Sequence, residues 1–131
     1  MRAIIMKRGR VIDIYALENN GSIEIKDFFD YGRNYPDKKC IVSGFNKYIN
    51  FIADNGHFNL SDKIFKCWKR KRRDQICEIR KGQDRISCFF HADNKLLLAT
   101  YFIKTRAKEE EEYSRAINLN KRFLENPIWE G

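Results

Sequence analysis

ICEIRKGQDRISCFFHADNKLLLATYFIKTR, residues 76–106, decides the fold. Three runs rich in Ile, Leu, Phe and Tyr, over residues 76–80, 85–90 and 96–104, have strand composition and are separated by turn chemistry. Lys81-Gly82-Gln83-Asp84 makes the first break and Ala92-Asp93-Asn94-Lys95 the second, both rich in residues that tolerate tight-turn angles. The spacing predicts an antiparallel meander. Alternation puts Arg85, Ser87 and Phe89 on one face and Ile86, Cys88 and Phe90 on the other. The third run is apolar at almost every position, which predicts a central strand covered on both faces. In a meander the end of one strand lies beside the start of the next, so Arg80 and Arg85 meet at one rim. Whether Lys104 joins them depends on register.

Upstream, residues 10–17 read as a strand ended by Asn19-Asn20-Gly21. Residues 1–9 read either as an extra strand or as a disordered extension, with Met6 an alternative start. Ser22 is positioned to cap a helix carrying Ile23, Ile25, Phe28 and Phe29, which Asn34-Tyr35-Pro36-Asp37 interrupts. A second helix is predicted over 38–55, with Ile41, Phe45, Tyr48, Ile49 and Ile52 along one stripe and Gly56 as its stop. A short strand is expected at 64–68. The last helix is expected from residue 105 or 107 to 124, where Asn126-Pro127 ends it. Glu109 to Glu112 crowd its first turns, where acidic groups oppose the positive end of the helix dipole. The fold class is therefore α+β, in one domain of 131 residues: an N-terminal strand and helical hairpin on a small, mainly antiparallel sheet, with a C-terminal helix.

With 26 Lys and Arg against 18 Asp and Glu, the net charge of +8 favours a polyanionic partner. Lys69, Arg70, Lys71, Arg72 and Arg73 repel one another and should stay solvated, as a surface loop or a phosphate-binding arm. Trp68 and Phe65 beside them are placed to stack on bases. The four cysteines show no CxxC or zinc-like spacing and two fall in apparent core strands, so they are expected to be reduced and no metal site is assigned. No apolar run approaches a membrane span, which predicts a soluble, cytoplasmic protein without membrane contact. Gly-rich phosphate loops, HExxH and GxSxG are absent, leaving nucleotide hydrolysis, zinc proteolysis and serine hydrolysis without support.

CEIR at 77–80, DRISCFF at 84–90, LLLATYFIKT at 96–105 and AINLNKRF at 116–123 resemble the RelE and HigB superfamily of toxins, and most closely its phage-derived HigB-like branch. Cys77 stands where that branch has an aromatic, and Thr105 where it has a second lysine. The resemblance implies the toxin of a type II toxin-antitoxin system, an endoribonuclease (mRNA interferase) that cuts messenger RNA without a metal or other cofactor, in many members on the ribosome. It also implies a cognate antitoxin, often a helix-turn-helix protein. Such cleavage needs a base for the ribose 2′-hydroxyl, cations for the phosphoryl oxygens and an acid for the leaving oxygen. Arg85 matches the arginine carried over for phosphate stabilisation, with Arg80 beside it and Lys104 matching the lysine after Phe-x. Glu78, two residues from Arg80 and so on the same strand face, is a candidate base. His91 has an ordinary pKa suited to proton transfer, and Arg106 is a further RNA-binding candidate. Tyr113 is similar to a helix tyrosine of some members, but its place on the helix stripe reads first as a packed aromatic. Two other classes fit the same fold: a ParE-like toxin that binds gyrase, and an RNA- or ribosome-binding module without catalysis.

Overall fold

The computed structural model describes residues 1–68, 75–105 and 108–131. The expected α+β architecture is the one observed. In chain order it comprises β1 (Arg2–Lys7), β2 (Asp13–Asn19), β3 (Ser22–Ile23), α1 (Glu24–Asn34), α2 (Pro36–Asn55), β4 (Phe65–Cys67), β5 (Cys77–Lys81), β6 (Asp84–His91), β7 (Lys95–Ile103), α3 (Glu109–Glu125) and β8 (Trp129–Glu130). The strands form one sheet in the order β4-β5-β6-β7-β2-β1-β8, with β3 added to β2. β5, β6 and β7 make the antiparallel meander, and β7 then pairs in parallel with β2.

β7 is apolar at most positions because helices cover both of its faces. Leu96 and Leu98 join Ile14, Ile25, Phe45, Ile52, Ile79 and Ile86 beneath the α1–α2 hairpin. Leu97, Ala99 and Phe102 join Tyr15, Phe89, Tyr113, Ala116 and Phe123 beneath α3. The register shifts after Ser87, which pairs with Thr100, whereas Cys88 pairs with Leu98. Ala99 is the extra residue of the resulting bulge, and the Ser87 and Thr100 hydroxyls, both buried, bond each other at 2.5 Å. Because β7 ends at the β5–β6 turn, α3 runs back across the sheet from that rim towards the opposite end.

Several boundaries differ from expectation for physical reasons. Of the two readings of residues 1–9 the extra strand is the one observed, over Arg2–Lys7, with Arg2 donating to Glu18 on β2 and to Glu130 on β8. Ser22 does not cap α1. It lies in β3 and donates to Asp27 at 3.0 Å, while Ile23 occupies the cap position. α2 begins at Pro36, earlier than predicted, because a proline in the first helical turn gives up a hydrogen bond that position lacks anyway. α3 begins at Glu109, later than predicted.

The cysteines correct the sequence reading more substantially. Cys67 and Cys77 face each other across the β4–β5 pair and are disulfide-bonded, while Cys40 and Cys88 are free thiols, one exposed and one buried. The bonded cysteines are ten positions apart in sequence, so the bridge closes the segment that contains the basic run. Constraining a loop of that size in the unfolded chain contributes about 2–3 kcal/mol. Reduction, or Cys67→Ser, is therefore expected to lower the urea midpoint of unfolding, and identical midpoints with and without reductant would contradict the bridge.

Candidate functional site

The β5–β6 turn brings Arg80 and Arg85 into register as direct partners, and Arg85 is in turn opposite Phe102 on β7. Lys104 reaches the same rim, since its backbone N–H donates to Gln83 O at 2.7 Å. Arg80, Arg85 and Lys104 thus share one end of the sheet. Glu78 and Arg80, spaced by two, lie on the α3 face, as alternation requires.

The first two cations are turned inward. Glu78 is fully buried, and its Oε1 accepts from Arg80 Nε at 2.6 Å while Arg85 Nε lies 3.4 Å away. That Arg85 contact is close enough for charge attraction but outside hydrogen-bond geometry, and the nitrogen has no other partner. Arg85 Nη1 donates to the Gly82 and Asp84 carbonyls, so its guanidinium also ties down the turn. Arg80 Nη1 donates to Asp62 O at 3.0 Å.

α3 completes the cluster with a residue whose hydroxyl the sequence reading did not place. The Tyr113 hydroxyl sits 3.1 Å from Glu78 Oε2 and 2.8 Å from Glu109 Oε1. Its single proton serves these two carboxylates in turn. Burial first, then the bond to Glu109 and the charges of Glu78 and Glu109, pushes the phenol well above its ordinary value, so it stays protonated. Glu109 therefore does more than oppose the helix dipole. Trp68 roofs the cluster: its ring is 5.1 Å from that of Tyr113 and 5.4 Å from the Arg80 guanidinium, with Lys66 Nζ at 5.1 Å.

Other sequence candidates stand elsewhere. His91 lies at the opposite end of β6, where Nε2 is 3.0 Å from Asn120 Oδ1 and the ring meets Phe123 and Trp129 edge-on. Burial lowers its pKa despite the Asn120 bond, and the Lys95 charge lowers it further. Its position makes it a packed histidine joining α3 to the sheet, remote from the arginines. Phe65 is buried on the helical-hairpin face and is not available for stacking. Asp84 likewise serves that face, accepting from Tyr101 and from Lys38 at 3.3 Å. Lys69, Arg70, Lys71, Arg72, Arg73 and Arg106 lie outside the described residues.

The arrangement gathers two carboxylates, two guanidinium groups, a protonated phenol and an indole at one rim. Among the described residues no helix is long and apolar enough to cross a membrane. No protein-family model and no curated protein matches the chain.

Proposed function

We propose that the chain is a metal-independent endoribonuclease of the RelE and HigB type, the toxin of a type II toxin-antitoxin pair, cutting messenger RNA on the ribosome. The observation that carries this reading is the convergence of Arg80, Arg85 and the Tyr113 hydroxyl on Glu78 at the rim that Lys104 also reaches. Resemblance of the sheet motifs adds the reaction class.

In the proposed reaction the Glu78 carboxylate takes the ribose 2′-hydroxyl proton, and O2′ bonds to phosphorus as the P–O5′ bond breaks. Tyr113 gives its proton to the departing O5′, leaving a 2′,3′-cyclic phosphate and a 5′-hydroxyl. Arg80 swings from Glu78 onto the phosphoryl oxygens, which frees the carboxylate and supplies positive charge where negative charge develops. Arg85, fixed by the turn carbonyls, positions Glu78. Trp68 must move off Arg80 to admit RNA and is then placed to stack on a base. The cognate antitoxin, of helix-turn-helix type by the same resemblance, would cover this rim.

A second reading draws on a different aspect of the same cluster. Both arginines are turned inward onto Glu78, as suits a binding module in which they only brace the sheet. Purified chain incubated with ribosomes and messenger RNA in EDTA separates the two. The nuclease reading expects cut transcripts with cyclic-phosphate ends, and Arg80→Ala losing more cleavage than RNA binding. Intact transcripts overturn it, in favour of gyrase binding if induced cells accumulate broken DNA.

A further inference from the structure

We infer that the outer face of α2 carries a second seat for the RNA phosphate backbone, on the opposite side of the sheet from the Glu78 cluster. It rests on the proposed function in taking RNA as the partner. An open groove of about 560 Å³ is lined by Lys39, Cys40, Ser43, Gly44, Lys47, Tyr48 and Lys81, and among the described residues no carboxylate lines it. Whereas Arg33 is paired with Asp30 and Lys38 with Asp84, no ion pair among the described residues occupies Lys39, Lys47 or Lys81.

Lys81 links the groove to the first site. It follows Arg80 in β5, so alternation sends the two side chains to opposite faces of one rim. A Cβ at Gly44 would come within 2.7 Å of Lys81 Cε, so the glycine leaves room for the lysine stem to lie against the helix. The Lys81 ammonium then sits 6.0 Å from the Tyr48 ring centroid. Lys39 and Lys47, eight residues apart on α2, are separated by about 12 Å along the helix axis, too far to clasp one phosphate together. Three unpaired cations strung over that distance suit a chain of phosphates. An RNA strand leaving the Glu78 cluster over the β5–β6 turn would meet Lys81 first.

The test compares K39E/K47E with K26E/R122E, which makes the same charge change on exposed positions of α1 and α3. Affinity for a labelled single-stranded RNA oligonucleotide is measured against salt concentration, with helical content and thermal melting confirming that each variant is folded. Losing two phosphate contacts should flatten the slope of log affinity against log salt by about 1.4, at roughly 0.7 per contact. The K26E/R122E slope should match the wild type. K39Q/K47Q, which removes charge without adding any, should flatten the slope in the same direction. Equal slopes for both charge-reversed variants would overturn the inference by showing diffuse attraction. Groove-dependent binding of polyglutamate without groove-dependent binding of RNA would also overturn it, indicating an acidic protein as the occupant. Cleavage is read separately: a chain that cuts no RNA while its salt slope follows the groove lysines refutes the nuclease and keeps the seat. A chain that cuts RNA with an unchanged slope does the reverse.

Discussion

Glu78→Gln is expected to destabilise the protein by about 3–5 kcal/mol, the usual consequence of removing one partner from a buried ion pair. The carboxylate is fully buried, and the side chains of Arg80 and Arg85 are only 16% and 7% exposed, so solvent cannot replace the lost charge. Arg85 suffers more, since among the described residues its Nε has no hydrogen-bond partner and its ion-pair partner is Glu78. Tyr113 would also face an amide in place of one of its two carboxylates. Adding Arg85→Met to Glu78→Gln should recover part of the loss, because the orphaned charge goes with it. Urea unfolding of the two variants measures both effects. A Glu78→Gln variant within 1 kcal/mol of the parent, on the order of a surface pair, would mean that the cluster is open to water and the burial described here does not persist in solution.

Such a cluster is costly to bury, which bears on what it is for. Apolar residues of similar volume commonly serve stability as well as a buried ion pair does. A carboxylate held between guanidinium groups and a protonated phenol is, however, an arrangement suited to moving protons beside a phosphate.

Much of the fold was legible because it follows from local rules. Gly82 and the Asp93-Asn94 pair adopt the positive φ angles that their turns require, which fixes the meander. Near-continuous apolarity in 96–103 placed β7 at the centre. The rim shared by Arg80 and Arg85 follows directly from hairpin pairing, and the Glu78–Arg80 contact from a spacing of two. What escaped depends on partners distant in sequence. Tyr113 lies 35 residues from Glu78, and nothing near it reveals that its hydroxyl meets a buried carboxylate rather than only packing. Cys67 and Cys77 are partners only through the β4–β5 register, which the intervening basic run obscured. The inward direction of the guanidinium groups was only one of two readings, because charge at a strand end fits a rim ion pair with Glu78 or Asp84 as well as phosphate binding. His91 misled because an ordinary pKa fits either catalysis or packing, and only the path of α3 separates them.

The second large effect concerns the chemical step. If the chain is the proposed endoribonuclease, Arg80→Ala and Tyr113→Phe should each slow single-turnover cleavage of RNA by about 100- to 10,000-fold, the range for losing a charge stabiliser or a proton donor. In the proposed reaction both residues act on the one phosphoryl transfer that Glu78 initiates, so their effects should not multiply. The decisive measurement is the cleavage rate at saturating RNA for the parent, the two single variants and the double variant. The account predicts a double variant within about tenfold of the slower single one, as for groups that act as a unit. Independent, multiplying losses, or single variants that cut as fast as the parent, would contradict a site built from Arg80, Tyr113 and Glu78 together.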